Sequence, residues 1–320
     1  MIVVCGEALF DVFATQEVAA GIDLSARQGG SPFNLATGLA RLGGKASFFG
    51  GLAHDMFGRK LYAALAAEGV DLSAAPRPVA PTALVMVSVD EKGVPHYAFY
   101  GKSTADRMVG LEDLRQVPPE AEAIHVGSYC MVVEPVATTL RTLVERQRGR
   151  SLIVYDPNVR LTIEPRADVW RDALQWMLER SDVLKVSEED IHALYPALPV
   201  EDFVQRALDA GVALAVVTRG EHGVVAATRG LPSMALPAVP VTVADTVGAG
   251  DTFQAGLLSW LQRRRYLSRG SVEAITRDAL VEALEFAARA AAITCSRRGA
   301  DLPYLNEVAD DEAESSPRMK

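Results

Sequence analysis

Residues 245–253 read Asp-Thr-Val-Gly-Ala-Gly-Asp-Thr-Phe and stand at the start of an apolar helical pattern. Glycines such as Gly248 and Gly250 allow positive φ angles and let backbone N–H groups converge on one point, and a helix N-terminus adds partial positive charge. The segment therefore predicts an anion hole. Asp251 stands beside it, where a carboxylate can accept the proton of a hydroxyl that attacks phosphorus. An aspartate that only caps its helix would give the same local pattern.

A second cluster, residues 29–34, reads Gly-Gly-Ser-Pro-Phe-Asn. It predicts a helix that starts with Ser31 as the N-cap and Pro32 in the first helical position. Asn34 then falls on the first turn, and Asp11 follows the first predicted strand. Paired Asp and Asn side chains suit vicinal sugar hydroxyls, because each hydroxyl both donates and accepts a hydrogen bond. The alternative is that the cluster serves only to start a helix.

The elements that position these residues alternate between apolar strands and amphipathic helices. Strands are predicted at 2–5, 46–52, 123–126, 151–155, 183–186 and 214–218, and helices at 32–42, 57–68, 250–264 and 271–294. This alternation predicts a mostly parallel sheet with helices on both faces. Two hairpins interrupt it, one at 79–100 around the turn Asp90–Gly93 and one at 223–236.

Composition narrows the class of protein. The chain has 320 residues, of which 49% are hydrophobic, and a net charge of −9, which argues against nucleic acid or membrane as a partner. Three widely spaced cysteines and the absence of a signal peptide predict a cytoplasmic protein without disulfides. No apolar run reaches the length of a membrane span. The polar residues 309–320 are predicted to be disordered.

Two common nucleotide-binding patterns are missing. The first predicted strand is followed by Gly6-Glu7-Ala8 and not by GxGxxG, which argues against a dinucleotide-binding oxidoreductase. Gly101-Lys102-Ser103 matches the end of a Walker A loop, but the first glycine of that motif would fall on His96.

The segments 29–43 and 245–253 resemble the two signatures of the ribokinase-like (PfkB) family of carbohydrate kinases, and the resemblance runs from Gly6 to about Pro303. It implies a three-layer α/β/α fold with a mostly parallel central sheet and a small β-sheet lid. Residues 1–308 would form one kinase domain, with lid strands drawn from about 10–30 and 79–108. The implied enzyme transfers the γ-phosphoryl group of ATP to a sugar hydroxyl and forms a homodimer through the lid.

The resemblance also assigns roles to individual residues. Catalytic roles fall to Asp251 as the base, to the amides of Gly248, Ala249 and Gly250 as the anion hole, and to Arg160, which neutralises phosphoryl charge. Sugar-binding positions are Asp11, Gly29, Gly30, Asn34, Lys102, Arg107 and Asn158. Nucleotide-binding positions are Lys185, Ser187, Thr218, Gly220, Gly223 and Thr246.

Cation sites are implied as well. The family's Asn-x-x-Glu motif, which is tied to Mg²⁺, appears here as Ser187-Glu188-Glu189-Asp190, in which Asp190 is one methylene shorter than Glu. Magnesium would bridge the ATP phosphates and depend largely on phosphate and water ligands. Asp245, together with residues 295–303, resembles a monovalent-cation site that suits K⁺.

The motif at 29–34 and the segments 156–160 and 295–299 resemble fructokinases most, which implies conversion of fructose to fructose 6-phosphate, with the Phe33 ring against the sugar. Phe33 as a core residue is the alternative. A 2-keto-3-deoxygluconate kinase, in which Lys102, Arg107 and Arg160 would face the carboxylate, and a ribokinase-type enzyme remain open. In a different class, a non-catalytic sugar- or nucleotide-binding protein on this fold would have lost the base.

Overall fold

Eight strands form the larger of two sheets in the computed structural model of the chain, which describes residues 1–89 and 95–308. From one edge to the other the strands are β12 (Met234–Leu236), β11 (Val224–Thr228), β10 (Leu214–Thr218), β9 (Val183–Ser187), β8 (Leu152–Asp156), β7 (Ala123–Gly127), β1 (Ile2–Cys5) and β4 (Ala46–Phe49). Five pairings are parallel: β4 with β1, β1 with β7, β7 with β8, β8 with β9, and β9 with β10. Strand β11 pairs antiparallel with both β10 and β12. The predicted mostly parallel sheet and the hairpin at 223–236 are confirmed.

The smaller sheet has four strands, in the order β3 (Gly21–Gly29), β2 (Leu9–Val18), β5 (Ala83–Val89) and β6 (Pro95–Tyr100). The pairing of β2 with β5 is parallel, and the other two pairings are antiparallel. The strand predicted from residue 79 starts only at Ala83, and Pro81, which has no N–H to donate to a strand ladder, lies between the two. The predicted turn Asp90–Gly93 and the predicted disordered tail 309–320 lie outside the described residues.

Helices cover both faces of the larger sheet. They are α1 (Ser31–Arg41), α2 (Met56–Ala67), α3 (Val136–Gln147), α4 (Ala167–Leu178), α5 (Glu188–Leu194), α6 (Val200–Ala210), α7 (Ala249–Arg263), α8 (Arg269–Glu273) and α9 (Arg277–Cys295). Two apolar clusters result: one holds Tyr129, Trp170 and Phe203, and the other holds Phe48, Leu257 and Leu284. Within the described ranges, no helix is long and apolar enough to cross a membrane.

The prediction of a single helix over 271–294 is wrong. The structure contains α8 and α9 in its place, and Thr276 begins the second helix as its N-cap, with Oγ1 accepting a hydrogen bond from the Ala279 amide at 3.3 Å. A threonine in this position satisfies one of the free amides at a helix start. A second helix therefore begins here, although the apolar periodicity of the sequence is continuous across both helices.

Candidate active site

The candidate site residues gather at the carboxyl edge of the larger sheet. Asp156 is the last residue of β8 and Ser187 is the last residue of β9, while the N-termini of α1 and α7 come to the same edge. Parallel strands end together there, so side chains from distant parts of the chain converge on one crevice. The smaller sheet contributes Asp11 from β2.

Helix α7 starts as the sequence predicts. Gly248 is its N-cap, with a φ of 80°, and a Cβ atom there would come within 2.7 Å of the Ala300 Cβ, so the position requires glycine. Ala249 and Gly250 follow as the first helical residues. Asp251 is therefore not the cap of α7. It lies in the first turn, where its charge interacts favourably with the helix dipole.

Asp251 is held by α1 and not by its own helix. The Ser31 hydroxyl donates a hydrogen bond to Oδ1 at 2.6 Å, and the Asn34 side-chain amide donates one to Oδ2 at 2.8 Å. The three side chains are partly buried. Ser31, predicted as the N-cap of α1, is instead its first residue, because Gly30 holds the cap position and frees the Ser31 hydroxyl for Asp251.

Gly29 and Gly30 bring the start of α1 close to β2. A Cβ on Gly29 would lie 2.4 Å from Oδ2 of Asp11, and one on Gly30, whose φ is 102°, would lie 2.8 Å from the Glu7 carbonyl oxygen. The φ angle of Gly30 and its contact with backbone disfavour any side chain there, whereas a Cβ on Gly29 would displace the Asp11 carboxylate. The geometry places Asp11 against the backbone that leads into Asn34.

Asp11 is only partly exposed, and burial raises its pKa to about 6, against the opposing influence of the Arg160 charge. Arg160 is exposed and donates a hydrogen bond from Nη1 to the Val159 carbonyl oxygen at 2.9 Å. The structure thus brings Asp11 and Arg160, which lie far apart in sequence, within electrostatic reach of each other. Asn158, with a φ of 40°, shapes the turn between β8 and Arg160.

Lys185 lies beneath the start of α7. Its Nζ atom is 2.9 Å from Oδ2 of Asp156, and the two side chains are only 5% and 3% exposed. Burial works to lower the pKa of Lys185, but the negative charges of Asp156, Asp190 and Asp251 outweigh it and raise the pKa, so the ammonium stays protonated. A Cβ on Gly250 would lie 3.2 Å from this Nζ. A fixed positive charge therefore adds to the helix terminus.

The residues predicted to hold the nucleotide border the ends of β9 and β10. The Thr218 hydroxyl lies 3.5 Å from the Val186 carbonyl oxygen, and Gly220 and Gly223 have φ angles of 53° and 83°. Gly223 leaves no room for a side chain, since a Cβ would come within 2.0 Å of the Leu236 carbonyl oxygen. Thr246 is exposed just before α7.

Asp190, the predicted magnesium residue, is buried and makes internal hydrogen bonds. Oδ1 accepts from the Val159 amide at 2.9 Å, and Oδ2 accepts from the Ser187 amide at 3.4 Å, while the Ser187 hydroxyl accepts from the Asp190 amide. This is a capping box at the start of α5. In the described part of the chain, no group of three or more His, Cys, Asp or Glu side chains could hold a metal ion.

Asp245 ties two segments together. Oδ1 accepts a hydrogen bond from the Val247 amide at 3.1 Å, and Oδ2 accepts one from the Gly299 amide at 2.8 Å. The carboxylate therefore joins the loop before α7 to the segment 295–303, which the sequence associates with a monovalent cation.

Three side chains stand apart from the contacts at Asp251. Lys102 is exposed on the segment after β6. Arg107 stacks its guanidinium over the rings of Phe99 and Tyr129, at 5.3 and 5.8 Å from their centroids. Phe33 is 4% exposed and belongs to the apolar cluster beneath α1, as the alternative that Phe33 is a core residue predicts.

Sequence reasoning missed two buried features. The segment 156–160 was singled out in the sequence, but the ion pair of Asp156 with Lys185 was not predicted. Glu7 is completely buried, which raises its pKa to about 7, and Tyr129 donates a hydrogen bond to nearby Asp106 at 2.8 Å. An isolated glutamate between apolar residues was the only signal for Glu7 in the sequence.

The chain is similar to known proteins both in sequence and in fold. Residues 1–307 match the model of the pfkB family carbohydrate kinases. A fructokinase of Rhizobium leguminosarum bv. trifolii is 33% identical over 280 residues, which cover 88% of this chain and 85% of the relative.

Two solved structures are similar over nearly the whole chain. Fructokinase from Xylella fastidiosa with bound ATP superposes with a TM-score of 0.88 at 28% identity, covering 98% of this chain and 99% of that one. Fructokinase from Vibrio cholerae O395, solved with fructose, ADP and a calcium ion, gives a TM-score of 0.80 at 27% identity and covers 97% of each chain. The chain belongs to the PfkB family of carbohydrate kinases, phosphotransferases that act on a sugar hydroxyl.

Proposed function

We propose that this protein is a cytoplasmic, ATP-dependent fructokinase that phosphorylates the 6-hydroxyl of fructose. The observation that carries the proposal is the position of Asp251, whose carboxylate is fixed by two donors of α1 and lies beside the N-terminus of α7 and the Lys185 ammonium. A base and a site for phosphoryl charge thus adjoin each other. The relatives that share 33% and 28% identity are fructokinases, which supports fructose as the sugar.

In the proposed reaction, the sugar lies between the smaller sheet and the carboxyl edge of the larger one, against Asp11, Gly30 and Asn34. Closure of the smaller sheet over the sugar excludes water, which would otherwise accept the phosphoryl group. The 6-hydroxyl gives its proton to Asp251 as its oxygen bonds to the γ-phosphorus, and the bond from that phosphorus to the bridging oxygen of ADP breaks. The products are fructose 6-phosphate and ADP.

Charge on the transferring group is stabilised by fixed groups. Residues 248–250 form the N-terminus of α7, although the Ala249 amide donates a hydrogen bond to the Thr246 carbonyl oxygen at 3.2 Å, and Lys185 supplies a buried positive charge below that terminus. Arg160, whose charge also acts on Asp11, is proposed to neutralise the transferred phosphoryl group from the sugar side. Thr218, Gly220 and Gly223, at the end of β10 and in the turn after it, are proposed to contact the rest of the nucleotide.

Magnesium is proposed to enter with ATP. Both oxygens of Asp190 accept backbone hydrogen bonds, whereas Oδ1 of Asp156 is buried and lacks a hydrogen-bond partner among residues 1–89 and 95–308. This donor set suits a metal held chiefly by phosphates and water, with Asp156 or Asp190 reaching it through water. Bound there, the metal would neutralise phosphate charge. K⁺ is proposed for the segment that Asp245 joins to Gly299.

The state of the cysteines fits a reducing compartment. Cys5, Cys130 and Cys295 are all free thiols, the first two of them buried. Structural disulfides are typical of oxidising compartments, so three unpaired thiols support the cytoplasm as the proposed location.

An assay of ADP release with MgATP, with and without K⁺, tests the proposal against fructose, ribose, 2-keto-3-deoxygluconate, glucose and adenosine. We expect preference for fructose, with phosphorus NMR showing the 6-phosphate. Asp251→Asn should lower kcat by at least about 100-fold, because the base is lost. Asp209→Asn, which changes an exposed carboxylate on α6, is the control. Near-normal turnover by Asp251→Asn would exclude Asp251 as the base, and activity on another sugar alone would exclude fructose.

A further inference from the structure

Ser31 makes a contact that its place in the sequence does not suggest. Its hydroxyl donates to Oδ1 of Asp251 at 2.6 Å, across 220 residues of chain. We propose that Ser31 is a positioning residue that holds the Asp251 carboxylate in the orientation needed for proton transfer, and that it couples this base to the smaller sheet. The inference rests on the proposed function, in which Asp251 is the base.

The carboxylate is fixed at both oxygens from one turn of one helix. Ser31 and Asn34 are three residues apart on α1 and therefore share a face of the helix. They donate to Oδ1 and Oδ2 respectively, at 2.6 and 2.8 Å. Two donors on two oxygens define the plane of the carboxylate, and hydrogen bonds to a charged acceptor are stronger than those between neutral groups. Loss of one donor would free the rotation of the carboxylate.

The two donors have different capacities for further contacts. The Asn34 amide has a second N–H and a carbonyl oxygen besides the N–H given to Asp251, so it can bind both the base and the sugar. The Ser31 hydroxyl has one proton, and Asp251 receives it. Replacing Ser31 should therefore act on the base and leave sugar binding largely intact, whereas replacing Asn34 should affect both.

Ser31 also follows directly from the edge strand of the smaller sheet. Strand β3 ends at Gly29, and Gly30 alone separates it from Ser31. Gly30 is fixed by its φ of 102° and by its close approach to the Glu7 carbonyl oxygen. With one constrained residue between them, the position of β3 determines where the Ser31 hydroxyl stands. Correct seating of the smaller sheet is thereby coupled to correct orientation of the base.

The test compares Ser31→Ala and Ser31→Thr with the wild-type enzyme in kcat and in the KM for fructose. Ser31→Ala should lower kcat about tenfold, the effect of one hydrogen bond to a charged group, with the KM for fructose changed less than about twofold. Ser31→Thr keeps the hydroxyl and should restore kcat to near the wild-type value.

Ser73→Ala is the matched control, since the Ser73 hydroxyl donates to Asp71 at 3.0 Å on the surface, outside the site. It should leave both kcat and the KM for fructose unchanged. The inference is overturned if Ser31→Ala turns over as fast as the wild-type enzyme, if its KM for fructose rises in step with the loss of kcat, or if Ser31→Thr does not restore kcat. If Asp251→Asn is inactive in the same assays, the proposed function survives that result. Turnover by Asp251→Asn would instead remove the base itself.

Discussion

The Lys185 ammonium and the Asp156 carboxylate form an ion pair at 2.9 Å that is almost completely excluded from solvent. Neither charge can be stabilised by water, so each depends on the other and on the fixed dipoles around it. The pair lies under the first turn of α7, where the proposed reaction gathers negative charge. The same ion pair therefore contributes to the stability of the fold and to the proposed stabilisation of phosphate charge.

Replacement of Lys185 by methionine should therefore damage both properties. Removal of one partner from a buried pair costs about 3–5 kcal/mol of folding free energy, because the other charge is left unpaired. We also expect a marked loss of kcat and a weaker affinity for ATP. Urea unfolding and ADP-release kinetics measure the two effects.

The double variant Lys185→Met with Asp156→Asn separates the two effects. Without the unpaired carboxylate, stability should recover in large part, while activity should not. If Lys185→Met is as stable as the wild-type protein, the pair does not have the energetic role assigned to it.

Asp11 should make sugar affinity depend on pH. Its pKa of about 6 means that the carboxyl gains a proton as the pH falls through that value and loses acceptor capacity toward the sugar. The KM for fructose should rise below about pH 6 in the wild-type enzyme, following this titration. Asp11→Asn should have a higher KM that changes little over the same range.

Arg160→Ala extends this test. The positive charge of Arg160 lowers the pKa of Asp11, so its removal should raise that pKa and move the rise in KM to higher pH. Arg166→Ala removes an exposed arginine paired with Glu164 and serves as the control. A KM profile that is the same in Arg160→Ala and the wild-type enzyme would show that the two side chains do not interact.

Gly30 should tolerate no side chain. Gly30→Ala forces a φ of 102° on an alanine and places its Cβ 2.8 Å from the Glu7 carbonyl oxygen. We expect a loss of more than about 1 kcal/mol in unfolding free energy, and reduced kcat because Ser31 and Asn34 move relative to Asp251. Gly270→Ala in α8 is the control, since nothing lies within 4 Å of its added Cβ. Equal stability and activity of the two variants would contradict this account.

The smaller sheet is proposed to form the interface of a homodimer. Strand register places Ile22, Leu24 and Tyr100 on the same face as Phe10, and these three are 58%, 53% and 62% exposed. An exposed apolar face with open strand edges favours association with a second copy. The same face packs at its base against α2, with the rings of Phe10 and Phe57 4.8 Å apart.

Sedimentation at micromolar concentration should accordingly show a dimer of the wild-type chain. Ile22→Glu combined with Leu24→Glu should give a monomer, whereas Val79→Glu, at a fully exposed position, should leave the dimer intact. A wild-type protein that sediments as a monomer would refute the proposed interface.

Local patterns in the sequence predicted most elements of the larger sheet and its helices, because apolar periodicity follows burial directly. They could not predict the contact of Ser31 with Asp251, since the two residues are 220 positions apart. The serine matched a strong helix-capping preference, but Gly30 holds the cap position, where an added Cβ would lie 2.8 Å from the Glu7 carbonyl oxygen. The contact between distant segments therefore outweighed the local capping preference of serine.

The candidate site was predictable to the extent that its residues stand in contiguous motifs. Asp251 and Asn34 were found in that way, and the structure joins them at 2.8 Å. Asp190 was identified as a metal residue from its motif, but its hydrogen bonds to the Val159 and Ser187 amides depend on how α5 meets the end of β8. Hydrogen-bond partners of this kind depend on how helices and strands pack together, and local sequence patterns do not encode that packing.

Part of the proposed sugar site lies on a short stretch of chain that leads directly to the proposed base. Asp11 and Gly29 belong to the β2–β3 hairpin of the smaller sheet, whereas Lys185 and Asp251 belong to the larger sheet and its helices. Gly30 alone separates the hairpin from Ser31, whose hydroxyl contacts Asp251. A substitution within residues 9–29 that adapts the site to another acceptor must therefore preserve the position of Gly30, since otherwise the change of substrate would also lower the rate of transfer.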